Sequence, residues 1–535
     1  MTNRLKLTSE QRSIIGASRH NMGTLTINAF AGTGKTMTLT GIALADKAPG
    51  VYIVYNQQMK REAQRRFPEH IIPLTGHALA FRSVIANSYG YEQKFKAARD
   101  GKQIPLSRVS RFIDGDQVLL LPLTNQQMAS LVLETVKQFQ YSADPTLESA
   151  HVPIEQVPAK LRAHSDEATL AGLRESVTHC ARKLWSAMAN ENDDTPILHD
   201  TYLKLLQLRE PDVGAPRWLC DEFQDANPVL DALIRQQSGQ KIYVGDPYQA
   251  IYGWRKAVNA LEEINSQPGV QKFTLSHSFR FGGKVAGLAN RILRSLGETT
   301  PLVGAGQPLV RATPQKPLTV IARNNLTLLD EVLTASEDNR PFCLLGNAGE
   351  MASMVRSAYA LFCGANEHIK HSHLKGYGNW DELKETARLA DDEVLNRLVT
   401  VIERFKGHAL HLADHILANK DNREHEVNLV LTTAHRAKGR EWAQVKLHDD
   451  LALPAQVIKK LQLGQALTDR QRESVNLLYV ALTRTQTSLV LPEAIRDNLK
   501  KLRYTELKTP ALALDAMNMD EDDQTQPQAT PTPTV

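Results

Sequence analysis

The sequence predicts an α/β protein built on parallel sheets, with two helical insertions. Short apolar, β-rich runs recur between helix-like stretches, and strands that alternate with helices are typical of parallel sheets with helical crossovers. Residues 91–198 and 363–424 keep a helical period but contain no such run. The apolar runs are Thr24–Asn28, Val51–Tyr55, Arg217–Cys220, Lys241–Gly245, Phe273–Leu275, Leu318–Ala322, Glu426–Thr433 and Ser488–Leu491.

Length and composition bound the class of protein. The 535 residues are too many for one hydrophobic core and indicate about three or four domains. No apolar run approaches the roughly 18 residues of a membrane span, and the N-terminus lacks the apolar core of a signal peptide. We therefore expect a cytoplasmic protein without a membrane partner. The four cysteines form no Cys-x-x-Cys pair, which argues against a zinc ribbon, an iron–sulfur cluster or a disulfide framework.

The first predicted strand leads into a phosphate-binding loop, Ala-Phe-Ala-Gly-Thr-Gly-Lys-Thr, at residues 29–36. Glycines in such a turn let backbone N–H groups approach phosphate, Lys35 can reach the β and γ phosphates, and the Thr36 hydroxyl can ligate Mg²⁺. The first position is alanine instead of the usual glycine. The loop residues expected to bind nucleotide are Ala31, Gly32, Thr33, Gly34, Lys35 and Thr36.

A second apolar strand, Arg217–Cys220, ends abruptly in Asp221 and Glu222. Asp221 can hold Mg²⁺ through water, and Glu222 can polarise the water that attacks the γ phosphate. The alternative is an acidic cluster stabilised by a helix dipole. The phosphate-binding loop upstream favours the catalytic interpretation.

A third segment, Val244–Arg255, joins polar groups to aromatic ones. Gln249 can sense a phosphate, while Tyr252 and Trp254 offer ring faces on which bases stack, at roughly 1–3 kcal/mol per base. The segment is therefore a candidate link between the nucleotide and a single strand. The same aromatic residues can equally be core anchors, and spacing does not decide between the two.

Two arginines, Arg280 and Arg484, follow later strands and are candidates for stabilising a transferring phosphoryl group. The arginine fork suits a trigonal phosphoryl group better than an ammonium does. Any single arginine is more often part of a surface ion pair, so their weight depends on the other segments.

In order and character, these segments resemble the motifs of superfamily 1 DNA helicases of the UvrD/Rep group, most closely the F-box DNA helicase branch, with no F-box expected before Leu7. The alanine that opens the phosphate-binding loop is also usual in this group. The segments that carry the resemblance are Leu7–Gln11, Ala29–Thr36, Tyr55–Lys60, Leu74–Phe81, His199–Leu205, Asp221–Asp225, Ser278–Phe281, Leu431–Trp442 and Glu473–Thr485.

The resemblance implies further roles. Gln11 reads the adenine edge, Phe279 stacks on adenine, and Glu441 contacts the ribose. Arg280 and Arg484 become two arginine fingers. The residues expected to contact DNA are Asn56, His77, Tyr252, Trp254, Thr433, His435 and Lys438.

The implied fold consists of two RecA-like motor domains, 1A and 2A, with helical insertions 1B and 2B, and with ATP between the motor domains. After Lys508 the chain is rich in proline, threonine, glutamine and acidic residues, which predicts a disordered tail. The expected bounds are 1–90 and 199–272 for 1A, 91–198 for 1B, 273–362 and 425–508 for 2A, 363–424 for 2B and 509–535 for the tail.

The implied activity is that of a DNA-stimulated ATPase and helicase that uses ATP and Mg²⁺, moves 3′ to 5′ on single-stranded DNA and unwinds duplex. Expected partners are single-stranded and tailed duplex DNA, with a protein partner reached through the tail or the insertions. DNA repair or recombination is the expected setting, and the oligomeric state stays open. Two alternatives remain: a translocase that displaces bound proteins with little unwinding, and a non-catalytic DNA-binding subunit.

Overall fold

The structure is a computed structural model and describes residues 7–55, 57–98, 101–102, 104–113, 123–209, 212–251, 260–313, 316–389 and 393–502. The strands are β1 (Thr24–Ala29), β2 (Gly50–Val54), β3 (Ile71–Thr75), β4 (Arg217–Cys220), β5 (Gln240–Gly245), β6 (Gln271–Leu275), β7 (His277–Ser278), β8 (Val303–Gly304), β9 (Leu318–Ala322), β10 (Cys343–Leu344), β11 (Leu429–Thr433), β12 (Trp442–Leu447) and β13 (Thr485–Val490).

The helices surround these strands. They are α1 (Ser9–His20), α2 (Lys35–Ala45), α3 (Gln57–Arg66), α4 (Gly76–Ala80), α5 (Tyr89–Ala97), α6 (Leu106–Val109), α7 (Asn125–Tyr141), α8 (Ala159–Ala163), α9 (Glu167–Ala189), α10 (His199–Arg209), α11 (Pro228–Gln236), α12 (Ala260–Ser266), α13 (Gly283–Ser295), α14 (Leu329–Glu337), α15 (Ala348–Phe362), α16 (Trp380–Leu389), α17 (Glu393–Phe405), α18 (His408–Ala418), α19 (Ala434–Ala437), α20 (Ala455–Gln462), α21 (Asp469–Leu482) and α22 (Glu493–Lys501).

Two parallel sheets organise the molecule. The first has six strands in the order β3-β2-β4-β5-β1-β6, and the second has five in the order β10-β11-β9-β12-β13. Every pairing in both sheets is parallel. Helices cover both faces, which explains why central strands such as β2 and β11 are buried along their whole length. The predicted mixed α/β fold with parallel sheets is confirmed.

The boundary expected at residue 273 falls inside β6. This strand pairs with β1, with Ile27 opposite Phe273, and so completes the first sheet. Residues 273–275 therefore lie in the first sheet and not in the second, where the expected bounds had placed them. Only Ser276 separates β6 from β7, which pairs with β8 in a small two-stranded sheet of its own.

Both insertions are helical where the structure describes them. In the first, α7 and α9 pack together, and α10 leads back to the first sheet against α7. Their apolar side chains join one core with sheet residues such as Ile53 and Trp218. In the second, α18 packs on α15, and Leu412 and Ile416 share a core with Val320 of β9. None of the helices in the described ranges is long and apolar enough to cross a membrane.

Candidate nucleotide site between the two sheets

The phosphate-binding loop leaves β1 and enters α2, as predicted. Gly32 and Gly34 have φ values of 76° and 82°, which side-chain-bearing residues rarely adopt. A Cβ added at Gly32 would lie 2.5 Å from Ser278 Oγ and 2.8 Å from Arg280 Cβ. The loop is thus a cradle that only a glycine backbone leaves open, and it lies at the N-terminus of an 11-residue helix. This geometry fits a polyphosphate.

Lys35 points toward the acidic end of β4. Its Nζ donates to Ala29 O over 3.5 Å and lies 3.6 Å from Glu222 Oε1. The ammonium group is therefore held between the loop and the carboxylates, where the β and γ phosphates of a bound nucleotide would lie.

The two proposed Mg²⁺ ligands already touch. Thr36 Oγ1 donates to Asp221 Oδ2 over 3.0 Å, and Tyr52 donates its hydroxyl to the same oxygen over 2.6 Å. A hydroxyl and a carboxylate are hard oxygen donors of the kind that Mg²⁺ prefers, so the residues present fit this ion. Burial and the neighbouring negative charge of Glu222 raise the pKa of Asp221. A bound cation would offset that cost.

Glu222 adopts the left-handed conformation, with φ 48° and ψ 36°, which is strained for a residue with a side chain. Gln224 Nε2 donates to its Oε2 over 2.7 Å and fixes the carboxylate. Burial favours the protonated form, but the positive charges of Lys35 and Lys438 prevail and hold the pKa of Glu222 below its usual value. The side chain is therefore an ionised carboxylate next to Lys35, as a water-polarising residue must be.

Gln249 lies where the two sheets meet. Its Nε2 donates to Asp246 Oδ2 over 2.6 Å, and its Oε1 accepts from Arg484 Nη2 over 3.1 Å. Arg484 follows α21, is only 1% exposed, and also donates from Nε to Val480 O over 2.8 Å. The structure thus brings the predicted sensor and the second predicted finger into direct contact across the cleft.

Tyr479 is a second bridge across the cleft, and the sequence had not singled it out. Its hydroxyl donates to Asp246 Oδ2 over 3.2 Å and accepts from the Ala31 N–H over 3.3 Å. The ring packs edge-on to Tyr248 at 6.3 Å. One signal was present, because Tyr479 lies five residues before Arg484 on an otherwise apolar stretch, where its polar atom needed a partner.

Phe279 and Arg280, which directly follow β7, contact the phosphate-binding loop. The Phe279 N–H donates to Gly32 O over 2.9 Å, and its ring is 49% exposed. Arg280 donates from Nε to Glu441 Oε2 over 2.6 Å and from Nη1 to Thr483 O over 3.1 Å. An exposed ring beside the loop is free to stack on a base, and the arginine lies at the phosphate end.

Gln11 is fully buried beside the loop. Its Oε1 accepts from the Thr8 N–H over 3.0 Å, and its own N–H donates to Thr8 Oγ1, which together form a capping box at the start of α1. Its Nε2 donates to Thr38 Oγ1 and lies 3.0 Å from a Cβ built on Gly34. The side chain is therefore fixed within reach of the nucleotide pocket.

Among the predicted DNA contacts, Asn56, Tyr252 and Trp254 lie outside the described residues. His77 is part-exposed and pairs with Asp200 over 3.0 Å. Thr433 and His435 lie at the end of β11 and line a cavity of about 350 Å³. Basic and amide side chains that follow β9, β10 and β11 line one part of its wall, namely Arg323, Asn324, Asn325, Asn347 and Arg436, and the rest is lined by Leu326, Glu350, Met351, Met354 and Val394.

Lys438 is not placed with these residues. Its Nζ forms a buried ion pair with Asp225, at 2.8 and 2.5 Å from the two carboxylate oxygens. It also donates to Gln249 O over 2.6 Å. The structure therefore places Lys438 on the wall of the nucleotide cleft.

Two family models match the chain. The UvrD/REP helicase N-terminal domain matches residues 214–266, and the UvrD-like helicase C-terminal domain matches residues 364–494. The chain is 29% identical to F-box DNA helicase protein 1 of Schizosaccharomyces pombe, over 91% of this chain and 58% of that protein. It is 28% identical to F-box DNA helicase 1 of Gallus gallus, over 92% of this chain and 49% of that protein.

A shorter stretch of 101 residues, 17% of this chain and 14% of the relative, is 35% identical to DNA helicase II of Escherichia coli. The chain spans about half the length of the two F-box helicase relatives that it matches. Both family matches and the long similarity agree with the geometry of the cleft. The chain therefore carries matches to the N- and C-terminal UvrD-like helicase domains and is similar to F-box DNA helicases over most of its length.

Proposed function

We propose that this protein is an ATP-dependent DNA helicase that hydrolyses ATP in the cleft between its two sheets, moves 3′ to 5′ on single-stranded DNA and unwinds duplex. The observation that carries the proposal is the contact of Arg484 with Gln249 over 3.1 Å. It joins a finger from the second sheet to a sensor beside the carboxylates of the first. A site completed from both sides links the state of the nucleotide to the distance between the two sheets.

Each residue has a distinct task in hydrolysis. The backbone of the phosphate-binding loop and Lys35 hold the phosphates, and Phe279 and Gln11 hold the base. Thr36 and Asp221 hold Mg²⁺, which neutralises charge on the phosphate oxygens when bound. Glu222 orients and polarises the attacking water, because its carboxylate is ionised and fixed by Gln224.

The arginines stabilise the charge that develops on the transferred phosphoryl group. The Cβ of Arg280 lies against Gly32, and Arg484 contacts Gln249 from the second sheet, so separating the two sheets would withdraw Arg484 from the site. Such fingers are worth roughly 10³–10⁵ in kcat in phosphoryl-transfer enzymes. Closure of the two sheets around the nucleotide therefore controls the rate of ATP hydrolysis.

The single strand is proposed to run along the carboxyl ends of the strands. The cavity bounded by Thr433, His435 and Arg436 supports this path, since it combines a cation with polar groups that suit a phosphate backbone. His77 lies at the corresponding edge of the first sheet, after β3. The names of the relatives, DNA helicases, agree with DNA as the substrate.

Lys35→Ala tests the enzyme assignment. The variant is expected to lose at least about 100-fold in DNA-stimulated ATPase rate, because the Lys35 ammonium group lies between the loop and Glu222, where it would contact the phosphates. The matched control is Lys47→Ala, which is expected to keep the wild-type rate. Lys47 is exposed and lies just beyond the C-terminal end of α2. Substantial DNA-stimulated ATPase in Lys35→Ala would contradict the assignment.

Tailed duplexes test polarity and unwinding. Strand separation with a 3′ tail and none with a 5′ tail is the expected result, and preference for the 5′ tail would overturn the direction. One observation favours a second function, protein displacement with little unwinding: the buried side chains of the insertion at 363–424 join the core of the second sheet instead of forming a separate one. ATPase and protein displacement without strand separation would support that function.

A further inference from the structure

Lys438 and Asp225 form a buried ion pair that joins the second sheet to the first. Their side chains are only 8% and 10% exposed. Lys438 directly follows α19, the short helix after β11, and Asp225 ends the turn that follows Glu222. The ammonium group has three acceptors, because Gln249 O lies 2.6 Å away in addition to the two carboxylate oxygens.

The position of this pair is mechanistically important. Both partners of Lys438 are close to predicted active-site residues. Asp225 directly follows Gln224, whose side chain fixes Glu222. Gln249, whose carbonyl oxygen accepts from Lys438, also contacts Arg484 through its side chain. A single side chain from the second sheet thus holds both the turn of Glu222 and the backbone of Gln249. Burial raises the pKa of Asp225 to about 6 in spite of the attraction of Lys438, so the carboxylate depends on its partner to stay ionised.

We propose that Lys438 is a positioning residue that acts through Asp225 and Gln249, and not a contact to the DNA backbone. When the two sheets close, it sets the turn of Glu222 and the carbonyl of Gln249 in the geometry needed for hydrolysis. When the two sheets separate, the ion pair breaks, and the turn of Glu222 and the carbonyl of Gln249 are no longer held in place. Removing one partner of a buried pair leaves an uncompensated charge, so a substitution of either residue is expected to disturb this arrangement strongly. This inference rests on the proposed ATPase function.

A double-mutant cycle tests the proposal. The variants are Lys438→Met, Asp225→Asn and the double variant, with Lys438→Arg as the conservative form. Lys420→Met, which removes an exposed lysine of the second insertion, is the charge-matched control. The measurements are kcat and KM for ATP, and the affinity for single-stranded DNA as a function of salt. Melting temperatures identify any variant that does not fold.

The expected result is a loss of kcat of at least about tenfold in each single variant, with KM and DNA affinity within about twofold of wild type. The double variant is expected to be no slower than the worse single one, because both substitutions break the same contact. Lys438→Arg, which keeps the charge, recovers part of the rate. Lys420→Met keeps the wild-type kcat.

The opposite pattern would overturn the proposal. A phosphate contact predicts that Lys438→Met weakens DNA binding and lowers the salt slope by about one, while Asp225→Asn leaves both unchanged. Additive losses of kcat in the double variant would also refute it. If Lys438→Met does not fold, the nearly isosteric Asp225→Asn carries the test. Wild-type protein without ATPase activity would refute the proposed function instead, and the two failures are therefore distinguishable.

Discussion

Tyr52 lies beside the proposed Mg²⁺ position. It lies inside β2, a strand buried along its whole length, and its hydroxyl shares Asp221 Oδ2 with Thr36. Its ring stacks on Phe67 at 4.3 Å, which fixes the hydroxyl. Tyr52 therefore orients the carboxylate that is proposed to hold Mg²⁺.

Tyr52→Phe is expected to raise the Mg²⁺ concentration for half-maximal ATPase by about tenfold, with a smaller change in kcat. Loss of such an orienting bond typically costs 10–100-fold in metal affinity. A Mg²⁺ titration of ATPase and of fluorescent-nucleotide binding measures the effect. The phenyl ring keeps the packing on Phe67, so an unchanged Mg²⁺ requirement would show that the hydroxyl has no such role.

The sequence predicts the position of a residue in the candidate site when its side chain has one dominant chemical role. Lys35, Asp221 and Glu222 follow strands and carry charge, so their convergence could be expected from the sequence. Lys438 could not be placed in this way, because a lysine after a strand suits a phosphate contact as well as an ion pair. The choice between them depends on Asp225, which is 213 residues away in the chain.

At the scale of secondary-structure elements, the phosphate-binding loop depends on the close approach of the segment after β6. Gly32→Ala is expected to abolish nucleotide binding and lower the melting temperature, because the added Cβ would overlap Ser278 Oγ and Arg280 Cβ. Gly269→Ala is the matched control. Gly269 has a similar φ of 81°, but its Cβ would meet no described atom within 4 Å, so it carries the backbone strain without the clash. Equal effects of the two substitutions would show that the close approach is unimportant.

Helix α1 combines a structural and a recognition role in one side chain. Gln11→Ala is expected to lower stability by about 1 kcal/mol through loss of the capping box and to reduce the preference for ATP over GTP. Thr8→Ala is the control, because it breaks the same box without touching the pocket. Stability from chemical denaturation and KM values for both nucleotides separate the two effects. Loss of ATP preference in Thr8→Ala would show that helix capping alone governs it.

The strands that the sequence predicted are the apolar ones. Strands β4 and β9 match their predicted bounds, whereas β3, β10 and β12 were missed, as were the two-residue strands β7 and β8. Strand β3 contains Pro73, β12 carries the polar residues Gln444 and Lys446, and β10 has only two residues. Their neighbours in the sheet stabilise them, and this tertiary contribution is absent from a local pattern. The same reason explains β6, whose sheet membership follows from its pairing with β1.

At the scale of the whole molecule, the two sheets are joined by several bonds across the cleft. Arg484 and Tyr479 reach Gln249 and Asp246, and Arg472 pairs with Glu262 at the rim. The buried bonds converge on the residues proposed to sense and hydrolyse ATP. The structure is therefore closed around the nucleotide site.

Arg484→Lys is expected to lower kcat by at least about 100-fold with little change in KM for ATP. A lysine keeps the charge but cannot reproduce the fork that donates to Gln249 and to Val480 O at once. Steady-state ATPase with saturating single-stranded DNA measures the loss, and equilibrium binding of nucleotide confirms that the pocket is intact. A wild-type kcat would exclude Arg484 as a finger.

The bonds across the cleft also have a thermodynamic consequence. They stabilise the closed side of an equilibrium between closed and open arrangements of the two sheets. A ligand shifts such an equilibrium only by the difference between its affinities for the two states, and a change from 1:99 to 99:1 requires about 5.5 kcal/mol. Each cross-cleft bond that the protein supplies by itself reduces the share that ATP must supply. The strength of these bonds therefore sets how much of the nucleotide's binding free energy is left for the proposed movement along DNA.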